Sequence, residues 1–214
     1  MSAPTLAQNE RAALADLFDT VGPTAPTLCE GWLTQDLCEH LVVRESDPLA
    51  LPGIFVPALS GITRRRMARA AHRGSWTDLV DRFRRGPGRL SPLALSPVDA
   101  AVNGMEFFVH HEDVRRAGND PLPPRLLRVA DEQTLWTRVS LLSRIAFSRA
   151  PVGVVVENAL DPEASVRVRT GDSIVTIAGK PSEIVLWLSG RRSVTEVEFI
   201  GEDDAIAQLQ DHLS

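Results

Sequence analysis

The sequence predicts an α+β protein: helices fill residues 1–149, and a small α+β part with an antiparallel sheet fills residues 150–214. Three observations predict it. The first part repeats apolar residues at helical spacing between Gly and Pro breaks. After Ala150-Pro151 the pattern changes to short runs that are valine-rich or alternate, beginning with Val152 to Val156. Gly171-Asp172 then separates two alternating runs as a two-residue hairpin turn would.

Each element follows from its own signals. Residues 6–20 place Leu6, Leu14, Leu17 and Phe18 at helical spacing, and Gly22-Pro23 stops them. Thr34 reads as the N-cap of a helix over 34–46, with Asp36 in the first turn, where the helix dipole favours an acid. Leu37 and Leu41 mark its buried side, with Leu33 leading in. His40 and, one turn on, Arg44 fall in the same arc. Residues 54–71 read as a helix with Pro57 in its first turn, where proline is tolerated, and Arg64, Arg65, Arg66 and Arg69 form a solvated basic face on it. His72 sits at an exposed junction. A shorter helix over 75–85 takes Ser75 as its cap, with Asp78 three residues on. Ser96-Pro97 opens a long helix over 97–117, and Gly118-Asn119 closes it. A further helix covers 125–149. Strands are expected over 152–156, 165–169, 173–177 and 194–200, with helices over 181–190 and 201–213.

The bulk numbers bound the function. The chain has 214 residues, 43% hydrophobic and 24% charged, which is ordinary for a packed globular protein. A net charge of −5 argues against a nucleic-acid-binding surface, which needs a basic footprint. No apolar run is long enough to span a bilayer, and the N-terminal residues lack the apolar stretch of a secretion signal. Cys29 and Cys38 match no zinc-ribbon or redox spacing and are expected as free thiols in a reducing cytoplasm. The expected partners are small molecules, without nucleic acid or membrane, and the expected state is a monomer or homodimer.

The chemistry concentrates on the helix over 97–117. Glu106, His110 and Asp113 fall at i, i+4 and i+7, stacked on one face over two turns. Val102 and Val109 flank the stripe, so the face is expected to point inward. His111 lies about 100° round from His110 and is expected at the rim or surface. His40, on the apolar face of an earlier helix, points into the same core. Together His40, Glu106 and His110 make a set of two imidazoles and one carboxylate. With an open fourth position that is a catalytic zinc pattern, and nickel or iron suits the same donors. Asp113 is placed to orient a ligand or meet the substrate. Arg44 sets a permanent cation near an acidic substrate or forms a salt bridge, with Asp113 as one candidate partner.

Trp32 with Asp36-Leu37-x-x-His40-Leu41, and Glu106-x3-His110-x2-Asp113, resemble the DinB-like metal-binding bundle superfamily. More closely, they resemble the mycothiol-dependent maleylpyruvate isomerase family. The stretches HLVVRESDP and EFFVHHEDVRRA are similar to an actinobacterial metal-binding subgroup of it, and IVTIAGKPSEIVLWLSGRR is similar to the family's C-terminal α+β domain. The resemblance implies a DinB-like four-helix bundle with His40, Glu106 and His110 as metal ligands and Asp113 in the active site. It places Arg191 near an interdomain cleft as a substrate or thiol contact. The function it implies is an isomerase or S-transferase in which a metal ion, zinc first, presents the thiolate of mycothiol to an electrophilic small molecule. Arg44 and Arg191 would hold carboxylates, and Asp113 would assist proton transfer. Two alternatives use the same ligands: a metal-dependent hydrolase, and a non-catalytic metal- or ligand-binding protein.

Overall fold

The computed structural model describes residues 3–46, 74–88 and 96–213. The helix expected over 54–71, the arginine cluster on it and His72 lie outside the described residues. The chain divides into two compact units, Met1–Leu122 and Pro123–Ser214.

Four helices of the first unit are described: α1 (Leu6–Val21), α2 (Thr34–Ser46), α3 (Trp76–Arg85) and α4 (Ser96–Arg115). Local chemistry sets their ends. Thr5 and Gln8 form a capping box at the start of α1, and Gly22, at φ +77°, ends it. Ser75 and Asp78 do the same for α3. At α2 the cap falls one residue earlier than predicted. Asp36 accepts from the Leu33 backbone N–H at 2.9 Å, while the Thr34 hydroxyl donates to the Gly22 carbonyl at 2.5 Å.

Leu14, Phe18, Leu37, Leu41, Val80, Phe83 and Phe107 form the core between these helices. Phe83 packs edge-on against Phe107 at 5.4 Å and against Phe18 at 5.9 Å. Each such fully buried ring contributes roughly 1.5–3 kcal/mol relative to exposure. Helix α4 is buried on more than one side, because α1 packs on it as well. That corrects the expectation for His111, which is 5% exposed, its Nδ1 2.7 Å from Glu10 Oε2 on α1. It also limits the apolar border of the stripe: Val109 is buried, but Val102 is exposed.

The second unit carries α5 (Val129–Ala146), β1 (Gly153–Asn158), β2 (Asp161–Arg169), β3 (Ile174–Gly179), α6 (Pro181–Leu188), a 3-10 turn at Arg192–Val194, β4 (Val197–Ile200) and α7 (Asp203–Leu213). The sheet order is β2-β1-β3-β4. It is mixed, not purely antiparallel: β1 and β3 run parallel, with Val154 opposite Val175 and Val156 opposite Ile177. The hairpin expected at Gly171-Asp172 is therefore absent. The hairpin joins β1 to β2, where the Asn158 side chain accepts from the Leu160 N–H at 2.9 Å. At Gly171 the chain instead crosses the start of β1 so closely that a Cβ there would collide with the Gly153 backbone. The apolar strands β1 and β3 take the centre, and the largely exposed β2 takes an edge. Helix α5 joins this unit through Glu132, whose carboxylate accepts from the Ser182 N–H and hydroxyl, each at 2.9 Å, at the N-terminus of α6.

Candidate metal centre

Two helices and one loop build the site. Helix α2 supplies His40, held by its buried neighbours Leu37 and Leu41 on the same face. Helix α4 supplies Glu106, His110 and Asp113. A backbone hydrogen bond pins the loop between α1 and α2 to α4, from the Leu28 N–H to the Asp113 carbonyl at 3.0 Å. That carbonyl lies in the last turn of α4, where helical acceptors lack partners of their own. The bond sets Cys29 and Trp32 against the site.

The structure brings the three sequence-predicted ligands together. His40 Nε2 lies 3.4 Å from Glu106 Oε1, and His110 Nε2 lies 3.3 Å from the same oxygen. One donor atom of each residue falls within 4.8 Å of the other two. Ligand bonds of about 2.0–2.1 Å around a tetrahedral ion require donors about 3.3–3.4 Å apart. The two imidazole–carboxylate spacings match that value, and all three donors lie close enough together to hold one divalent ion. The His40 and His110 rings meet edge to face at 5.4 Å, and Trp32 packs on His40 at 5.2 Å, walling one side.

Asp113 is fully buried, and its Oδ2 lies 2.9 Å from His110 Nδ1. A carboxylate at that nitrogen fixes the ring so that Nε2 faces the metal position. The Cys29 thiol donates to the same carboxylate oxygen at 3.2 Å and lies 3.8 Å from His110 Nδ1. Cys29, which spacing along the sequence did not bring to this site, thus lies against His110 and Asp113. Its signal was its place in the loop before Trp32, and spacing to Cys38 hid it: Cys38 is buried in the helical core instead.

Arg44 is at the site but turned inward, 4% exposed. Its Nε stands 3.3 Å from Glu106 Oε1, and its Nη1 donates to the Asn103 side-chain carbonyl. Its carboxylate partner is thus Glu106, not Asp113. Arg191 belongs to the second unit, where its Nη1 donates to the Ser189 carbonyl at 2.5 Å.

Burial and hydrogen bonding pull the titratable groups of the cluster in opposite directions. Burial pushes His40 below its ordinary imidazole value, against the hydrogen bond to Glu106. Burial also opposes a charge on His110, but Asp113, Cys29 and Glu106 outweigh it and raise His110 well above its ordinary value. Burial likewise opposes ionisation of Glu106, yet hydrogen bonds from His110 and His40 hold its carboxyl well below the usual carboxylate range. Of the two imidazoles, His110 is thus the one whose partners favour the charged form.

Two solved structures match this chain over most of its length. The crystal structure of the mycothiol-dependent maleylpyruvate isomerase superposes with a TM-score of 0.60 at 16% sequence identity, covering 91% of this chain and 90% of that one. A histidine-to-alanine mutant of that isomerase gives a TM-score of 0.60 at 14% identity over the same shares. No family model and no curated protein sequence matches the chain. Among the described residues, no helix is long and apolar enough to cross a membrane. The α+β fold of this chain is the fold of the mycothiol-dependent maleylpyruvate isomerase.

Proposed function

We propose that this protein is a metal-dependent enzyme that acts on a small electrophilic molecule with a low-molecular-weight thiol, mycothiol first, as cosubstrate. The observation that carries the reading is the convergence of two imidazole Nε2 atoms on one oxygen of Glu106 at the spacing of metal ligands. A divalent ion there, with zinc suiting the donor set and nickel or iron(II) also fitting it, supplies the Lewis acidity that holds a thiol as its thiolate.

The chain's own residues do the rest. His40 and His110 offer neutral nitrogens, and Glu106 offers the one anionic ligand, which leaves the site a net positive charge to balance a thiolate. Asp113 keeps the His110 Nδ1 proton and so fixes the tautomer. Asp113 is also the nearby carboxylate able to hold a proton during an isomerisation, with Cys29 as its hydrogen-bond donor. Arg44 is the ion-pair partner of Glu106, with Nε 3.3 Å from Oε1, and adds positive potential beneath the site. Arg191 is proposed as a contact for a carboxylate of the substrate or thiol. The reaction class is isomerisation or S-transfer.

Turnover of a maleylpyruvate-type or epoxide substrate by the metal-loaded protein, with and without mycothiol, tests the reading. The expected result is turnover only with the thiol. Equal turnover without it contradicts the thiol role and favours a hydrolase on the same ligands. Tight mycothiol binding without turnover favours a binding protein.

A further inference from the structure

Behind Glu106 lies a second layer of buried polar side chains. Arg44 Nη1 donates to Asn103 Oδ1, and Nη2 donates to the Val102 carbonyl at 3.2 Å. The Asn103 amide Nδ2 donates to Asp99 Oδ1 at 2.7 Å and to Glu45 Oε1 at 3.1 Å. Arg11 closes the cluster, donating through Nη2 to Glu45 Oε1 at 2.6 Å and to Asp99 Oδ1 at 3.0 Å. Its guanidinium also lies 4.7 Å from the centre of the Phe107 ring. All five side chains are buried, Asn103 completely.

Such a cluster is a poor source of stability. Buried ion pairs at best break even against apolar side chains of the same volume. Its geometry has a direction, however. Asn103 must turn its carbonyl to the Arg44 cation and its NH2 to the two carboxylates, so its amide orientation is fixed by charge. Arg44 is thereby held with Nε beside Glu106 Oε1, the oxygen both imidazoles share. The helical spacing repeats this on both sides: Arg44 is one turn beyond His40 on α2, and Asn103 is one turn before Glu106 on α4.

We propose that Asn103 and Arg44 are positioning residues of the metal centre: the Asn103 amide locks the Arg44 guanidinium against Glu106 and so sets the ligand oxygen. The inference rests on the metal-centre reading above. It adds a requirement that the ligand set alone does not carry.

The test uses the full chain, zinc affinity by competition with a chromophoric chelator, and the visible spectrum of the cobalt(II)-substituted protein. Asn103→Leu and Arg44→Lys should each bind zinc about 10–100-fold more weakly and shift the cobalt bands, as loss of an outer-layer partner does. Leu14→Ala serves as the control for lost stability, because it opens a cavity in the helical core away from the ligands. It should keep native affinity and spectrum. Native affinity and spectrum in both positioning variants overturn the proposal, and so does an equal loss in Leu14→Ala. If Asn103→Leu fails to fold, Arg44→Lys alone decides. A native chain that binds neither ion overturns the metal-centre reading itself, and this inference with it.

Discussion

Asp113 Oδ2 lies 2.9 Å from His110 Nδ1, one turn back along the same helix, and this turns the other ring nitrogen to within 3.3 Å of Glu106. The carboxylate is buried, so its replacement leaves the ring without an orienting partner. Asp113→Ala is expected to weaken metal binding by about 10–100-fold while the helical content stays native. Chelator competition with circular dichroism on the same sample checks this. Undiminished affinity would mean that Asp113 does not orient His110.

Metal binding should release a proton. In the metal-free protein His110 is raised well above its ordinary value, so at neutral pH it carries a proton that the ion must displace. His40 is lowered, so it is already neutral there. Apparent affinity should therefore rise with pH, by about tenfold per unit for one displaced proton, and level off above the folded-state pKa of His110. Below the ordinary imidazole range a second proton, on His40, steepens the dependence. Calorimetry in buffers of different ionisation enthalpy measures the count. No proton release at neutral pH would contradict the charge assignment.

The two thiols should separate in reactivity. Burial pushes Cys38 far above its ordinary value, and it sits in the helical core. Cys29 is only partly buried. A disulfide reagent is expected to find no more than one thiol per folded chain, with the second reacting only in denaturant. Labelling of Cys38 in the folded protein would contradict its placement.

Much of this was legible in the sequence. His40 on the apolar arc of Leu37 and Leu41, and Glu106-x3-His110 on a long helix, pointed to one site, because helical spacing alone fixes which side chains share a face. Gly22-Pro23 gave the end of α1, and Ser75 with Asp78 gave the start of α3, for the same local reason. What spacing could not give was which neighbours pack on α4. Burial by α1 draws in His111, and a loop tied to the helix end brings Cys29 to Asp113. The parallel pairing of β1 with β3 was hidden too. A short glycine-bearing link reads as a hairpin until the crossing at Gly171 is seen.

Stability and metal binding should also come apart. Glu112 is fully buried and accepts from Arg116 Nε at 2.5 Å and Arg115 Nη1 at 3.0 Å, about 120° round α4 from Glu106. Glu112→Ala breaks the buried ion pair with Arg116 and is expected to destabilise the metal-free protein in urea unfolding, by up to about 3–5 kcal/mol. Zinc affinity should remain native. A large loss of affinity would extend the metal-centre network to Glu112.

One divalent ion is expected to bind between α2 and α4. Anomalous scattering at the zinc edge from crystals of the zinc-loaded protein tests it most directly. One peak per chain is expected, within about 2.0–2.2 Å of His40 Nε2, His110 Nε2 and a Glu106 oxygen. No peak there, or a peak held by Cys29, Asp113 and His110 Nδ1 instead, would contradict it.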